Sequence, residues 1–245
     1  AQKNRNMNWY SKIKSKIEKK DDSPELKRGQ IKQILISEFE KKLPEFDFLE
    51  YKNGCYTFEK IRIINGRNVF EHLHIIFALK DRNFSCSVAS RINRNNLRSN
   101  SYNIGLMNPH IDLIVLKKGT GVIPVEEAYY FHNGQVKTTT KIIIQIIKDF
   151  ELFGKQFLEK QAKRLEHNKL LIVGFEFINN LVVDKKKLNE ELEDDLESGG
   201  YLISSLKNET YLELKTELQN VKEVDKETRK DIPKLAYELL KLYCE

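Results

Sequence analysis

The chain has no long apolar run. Its best segments, 73–79 and 142–147, are interrupted by His74 and Gln145, far short of the roughly 18 unbroken apolar residues that a membrane span needs. No membrane partner is expected. The opening AQKNRNMNWYSK lacks an apolar h-region and is not an intact secretory signal, although a mature form whose signal had been removed would read the same way. Cysteine is scarce: Cys55, Cys86 and Cys244 form no CxxC, no zinc-ribbon spacing and no even-numbered disulfide framework. Ordinary thiols in a reducing cytoplasm are the expectation. There is no Walker loop, G-x-G-x-x-G fingerprint, HExxH helix or G-x-S-x-G elbow. Neither a cofactor nor a metal is expected, and a binding role is favoured over an enzymatic one.

What is present is a folded composition. At 245 residues, 40% hydrophobic and 32% charged, the chain can hold one ordinary domain plus an appendage, or two small domains. The net charge of +6 hides an asymmetry. Residues 184–245 hold 11 Lys+Arg against 16 Asp+Glu, a net of −5, while the other 183 residues hold 31 against 20, a net of +11. The larger part is a candidate polyanion binder, and solvated basic faces are the plainer explanation.

Three regions follow from the patterning. Residues 1–22 are lysine-rich, with Trp9, Tyr10, Ile13 and Ile17 at helical spacing, and read as a basic N-terminal helix or tail. Residues 23–183 read as an α+β core domain, and 184–245 as an acidic helical C-terminal region. Within the core, Ser23 as N-cap, Pro24 at the first helical position and Leu26, Ile31, Ile34, Leu35 and Phe39 predict a helix over 24–42. After Pro44 the period becomes alternating. Asn53-Gly54 and Asn65-Gly66, both suited to type I′ turns, together with a connection at 80–83, separate strands at 46–52, 55–64, 68–79 and 84–92.

Turn geometry sets the register. If Ile64 and Arg67 flank a two-residue turn, residue numbers of opposed pairs sum to 131; if Leu79 and Phe84 flank the next loop, they sum to 163. Both registers gather Tyr56, Phe58, Val69, Leu73, Ile75, Phe77, Leu79, Phe84, Cys86 and Val88 on one face, to be covered by helices. Further strands are expected at 111–116 and 122–131. A long amphipathic helix over 138–167, striped by Ile143, Ile146, Ile147, Phe150, Phe153, Phe157 and Leu158, would cover the apolar face. The run 170–183 suits strand or helix equally, and helices with a Gly199-Gly200 break follow. The fold class is therefore α+β: an antiparallel meander with one face covered by helices, plus a small helical C-terminal appendage.

The opposite sheet face carries the candidate chemistry. The registers align Glu59, His72 and Arg91 in one row and Thr57, His74 and Ala89 in the next, and an HxH on a strand points both imidazoles one way. Glu59, His72, His74 and Arg91 form a candidate polar cluster for an anion or, through the carboxylate, a metal. The plainer alternative is the wet side of a half-exposed sheet. The adjoining segment RINRNNLRSNSYN, 91–103, holds Arg91, Arg94, Arg98, five Asn and Tyr102, groups suited to phosphate contact and base stacking. It also has the composition of a surface loop. A metal-dependent nuclease of the PD-(D/E)xK kind would need an ExK on a strand beside a second carboxylate. Glu50-Tyr51-Lys52 and Glu213-Leu214-Lys215 match the three letters, but Asp47 shares a strand with the first and the second has helical periodicity.

The segments ILISEFEKKL, NGCYTFEKIRI and KIIIQIIKDFELFGKQFLEK, in that order around a meander, resemble small bacterial domains of unknown function, some of which lie beside toxin, immunity or defence genes. The resemblance spans roughly residues 30–166 and omits the acidic C-terminal helices. It implies a binding or neutralising role by association. The expected function is thus a non-catalytic binding protein with a protein partner, a toxin-neutralising or defence accessory. The competing expectation is a nucleic-acid-binding protein or metal-dependent nuclease that uses the arginine-asparagine segment.

Overall fold

In a computed structural model the chain forms a six-stranded antiparallel sheet with helices and a helical C-terminal region, an α+β fold. Residues 24–78, 82–92, 110–124 and 127–245 are described. The expected tail at 1–22, Leu79, and the candidate residues Arg94, Arg98 and Tyr102 lie outside them.

The meander is built as the turns dictate. Strands β1 (Asp47–Lys52), β2 (Cys55–Ile64), β3 (Arg67–Ala78) and β4 (Asn83–Arg91) lie in sequence order, followed by β5 (His110–Asp112). Asn53, Gly54, Asn65 and Gly66 all have positive φ, between 50° and 81°, as the type I′ turn requires of both central residues. β1 pairs with β2 through Asp47–Glu59 and Tyr51–Tyr56, with a bulge between Phe48 and Glu50.

The first helix, α1 (Arg28–Lys42), starts four residues later than the expected Pro24. Pro24 to Leu26 run extended instead: Leu26 N–H donates to Gly134 O at 2.8 Å, Val136 N–H to Pro24 O at 3.0 Å, and Glu25 bridges Gln135. That pairing satisfies backbone groups which a helical first turn would leave without partners. Lys27 becomes the N-cap, its N–H held by Gln30 Oε1 at 2.8 Å.

Two expected strands are corrected. The run 111–116 splits into β5 and a short helix, α2 (Leu113–Lys118), which buries the adjacent Leu113 and Ile114 and ends on Gly119 at φ 66°, a left-handed stop that suits glycine. Among the described residues of 122–131 only β6 (Tyr130–Phe131) is a strand, and it pairs with β4. Pro124 lacks the donor that a ladder needs, and Val122 is 86% exposed. The long amphipathic helix is present as α3 (Val136–Asp149), a π-helical turn (Phe150–Gly154) and α4 (Lys155–His167).

The open run at 170–183 is α5 (Lys169–Asn180), started by Asn168, whose side chain accepts Leu171 N–H at 3.0 Å. Then come α6 (Lys185–Ser198), a 3-10 turn (Ile203–Ser205), α7 (Glu209–Asn220), α8 (Lys226–Lys230) and α9 (Ile232–Cys244).

The chain divides into two compact units. Of the described residues, the first takes 24–62, 70–78, 82–90, 110–124 and 127–159, and the second takes 63–69, 91–92 and 160–245. In the first unit α1 and α3 cover Tyr56, Phe58, Leu73, Ile75, Phe84, Cys86 and Val88. Phe39 stacks on Phe58 with centroids 3.8 Å apart, and Phe46 meets Phe150 edge-on at 5.2 Å. Phe77, expected in this core, is only half-buried. In the second unit Leu171, Leu192, Tyr211, Leu214, Leu235 and Leu239 form a separate core, and Val69 belongs to it rather than to the sheet core.

Candidate functional site

The polar face is assembled across the hairpin as its turn demands. His72 Nε2 and Glu59 Oε2 stand 3.0 Å apart, and Thr57 Oγ1 lies 3.2 Å from His74 Nδ1. Both pairs sum to 131, so residues 57, 59, 72 and 74 share a face. The His72 and His74 rings stack with centroids 5.4 Å apart at 27°. His110, registered against Ala89 on β4, brings a third imidazole to 6.3 Å from His74. No periodicity in the sequence pointed to His110; only the pairing of β5 with β4 places it here.

Burial changes the meaning of this row. The face was expected to be wet, yet His72 is 0% and Glu59 5% exposed, with Thr57 also buried. The imidazole and the carboxylate satisfy part of each other's hydrogen bonding at 3.0 Å, which offsets part of the cost of taking both out of water. The exposed member is His110, and His74 is half-buried. The structure thus brings together Glu59, His72 and His74, and adds Thr57 and His110. Arg91, the fourth residue of the expected cluster, is half-buried at the end of β4, and burial lowers its guanidinium pKa. Among the described residues no group of three or more His, Cys, Asp or Glu side chains is arranged to hold a metal ion.

The Glu59–His72 pair has a direct test. Glu59→Ala and His72→Ala should each destabilise the protein by roughly 3 kcal/mol, and the double mutant should recover about 2 kcal/mol of coupling in urea unfolding. Additive losses would mean that the two side chains do not depend on each other.

A second polar centre was missed by the sequence reading. Asp149, 2% exposed, accepts from Lys117 Nζ at 2.7 Å, Tyr130 Oη at 2.9 Å and Gln145 Nε2 at 2.8 Å. Burial, with the nearby Cys86 and Asp149, pushes the Tyr130 phenol pKa far up, so it remains a donor. Its one sequence signal is an acid set between Ile147 and Phe150 on an otherwise apolar stripe. The π-helical turn begins at the next residue, Phe150. Elsewhere on the core side, Arg62 Nε donates to the buried Glu71 at 2.7 Å while its other nitrogens reach Glu159.

Neither ExK match gains a catalytic setting. Glu213 and Lys215 lie in α7, and Glu50–Lys52 closes β1 with Asp47 registered against Glu59. No protein-family model matches the chain, and no curated protein or solved structure matches it either.

Proposed function

We propose that the protein is a non-catalytic binding protein whose sheet contacts a protein partner. The observation that carries this reading is an inversion of the usual order on one sheet face. Glu59 and His72 are sealed at its centre, whereas Ile61 and Ile76, on the same face by strand alternation, are 50% and 47% exposed. At about half exposure each isoleucine forgoes roughly 1 kcal/mol of burial, and a buried polar pair beside exposed aliphatics is the informative departure from ordinary burial. By the β2–β3 register these isoleucines sit three pair-steps apart, about 20 Å along the strands, which suits two apolar anchors of a protein interface around a polar centre. A cytoplasmic setting belongs to the same proposal and is supported by three cysteines that are all free thiols. Neutralisation of a toxin, or another defence role, is the specific form that the family resemblance suggests.

The test is capture from a bacterial lysate by wild type and by Ile61→Lys/Ile76→Lys, at low and high salt. Partners retained at high salt by wild type and lost by the variant are the expected result. The same proteins captured by both would overturn the reading.

One observation favours nucleic acid as the second reading. On the exposed side of α3, Lys137, Lys141 and Lys148 recur at four- and seven-residue steps, a ridge of one charge sign in the basic part of the chain. Fluorescence anisotropy with single-stranded RNA, single-stranded DNA and duplex DNA separates the two. Phosphate binding weakens steeply with salt and would fall in Lys141→Ala/Lys148→Ala or Arg94→Ala/Arg98→Ala. No binding at low salt would reject it.

A further inference from the structure

The C-terminal end of α6 closes as a Schellman motif. Tyr201 N–H donates to Leu196 O at 2.7 Å and Gly200 N–H to Glu197 O at 3.2 Å, with Gly200 left-handed at φ 69°. In that motif the residue after the left-handed glycine usually packs its side chain back on the helix. Here that residue is Tyr201, and it does not: its side chain is 71% exposed, and the next, Leu202, is 62% exposed. Tyr201 itself is left-handed at φ 64°, a strained conformation for a bulky residue, and its side chain gains little burial in return.

The turn is nevertheless firmly held. The single Ser205 hydroxyl hydrogen is shared between Leu202 O at 2.7 Å and Gly199 O at 3.2 Å, and Tyr211 Oη donates to Ile203 O at 3.0 Å. Asp195 Oδ2 accepts the N–H of Asn208 at 2.8 Å and that of Lys207. An exposed aromatic and a leucine on a fixed backbone lose little freedom when they enter a complementary surface.

The surrounding charge identifies what that surface carries. The last turn of α6 holds no base, and Asp194 and Glu197 stand exposed there, at the negative end of the helix, where acids are locally unfavourable. We infer that the Tyr201–Leu202 turn is a docking tip for a basic protein partner, one that presents an apolar socket rimmed by lysine or arginine. This surface lies wholly in the second unit and does not depend on the sheet reading.

The probe is a fluorescein-labelled amphipathic helical peptide of leucine and lysine, with a counterpart in which glutamate replaces lysine. Anisotropy should show the lysine peptide binding wild type and the glutamate peptide failing to bind. Tyr201→Ser/Leu202→Ser should weaken the lysine peptide by about tenfold. Tyr201→Gly keeps the left-handed turn and relieves its strain, so it should melt no lower than wild type yet lose the same affinity, separating docking from folding. Asp194→Asn/Glu197→Gln should weaken binding a few-fold, and less at high salt. Equal binding of the lysine peptide by wild type and Tyr201→Gly, equal binding of both peptides, or no binding at all would overturn the inference. So would self-association in sedimentation that Tyr201→Ser abolishes, since that would assign the tip to a second copy of this chain.

Discussion

Asp149→Ala is expected to destabilise the α+β unit by about 4 kcal/mol, the largest single-site effect expected here. Three donors converge on this buried carboxylate: Lys117, Tyr130 and Gln145. Truncation leaves the Tyr130 hydroxyl, on a residue only 8% exposed, without its acceptor and removes the countercharge of Lys117. The Lys117 side chain is half-exposed and returns to water. The cost therefore lies in the three hydrogen bonds to the charged carboxylate, roughly 1.5–3 kcal/mol each before compensation by water, and in the buried Tyr130 hydroxyl left without an acceptor. Asp149→Asn should cost about half as much, since the amide oxygen still accepts from Tyr130 while the ion pair is lost. Tyr130→Phe should cost roughly 1 kcal/mol. Urea unfolding followed by far-UV circular dichroism measures all three, and a loss below about 1 kcal/mol for Asp149→Ala would show that Asp149 does not anchor the junction of α3 with the π-helical turn.

The second large effect is a response to pH of opposite sign in the two units. Glu238, 6% exposed on α9 in the helical unit, has its pKa raised from 4.5 to about 7. Desolvation by burial is the main cause, reinforced by Glu245 and opposed by Lys234 and Lys241. Between those two pKa values the folded state holds the proton that the unfolded chain has released, so stability falls as pH rises through the window. The loss between pH 5 and pH 8 should be about 2–3 kcal/mol. Glu238→Met should abolish that slope and stabilise the unit at pH 8.

His132 acts the other way. It is 2% exposed, its Nδ1 lies 3.0 Å from the donating Gly134 N–H and 3.2 Å from Thr139 Oγ1, and its pKa is lowered from 6.5 to about 4. Burial is the first cause and Arg82 the second. The neutral ring is the one that the fold accommodates, so its contribution is complete above pH 6.5 and is lost as pH falls toward 4. Hydrogen exchange resolves the two units separately. Amides of α9 should lose protection as pH rises from 4.5 to 7, after correction for intrinsic exchange, while amides near β6 and α3 gain it from 4 to 6.5. Parallel responses in both regions would contradict these assignments.

Local chemistry carried the central sheet. Asn53-Gly54 and Asn65-Gly66 require a backbone that few other dipeptides adopt, and once those turns are placed the pairing of Glu59 with His72 follows by counting. The alternation of β2, β3 and β4 then separates core from opposite face, and the stripe from Ile143 to Leu158 supplies the covering helix. Long-range pairing carried the rest. Pro24 looked like the start of a helix because its neighbours favour one, but 134–136 offered its backbone a partner distant in sequence. Leu113 and Ile114 looked like strand until Gly119 closed a helical turn.

The sequence alone therefore determined the α+β class, the hairpin register and the composition of both sheet faces, because turn dihedrals and strand alternation act between near neighbours. Only the tertiary structure decided that the Glu59–His72 pair is sealed while Ile61 and Ile76 stay in water, that His110 joins the histidine row, that Asp149 gathers three donors, and that Tyr201 points outward. Each of these depends on solvent exclusion or on contacts between residues far apart in the chain, and such contacts leave no periodic trace in the sequence.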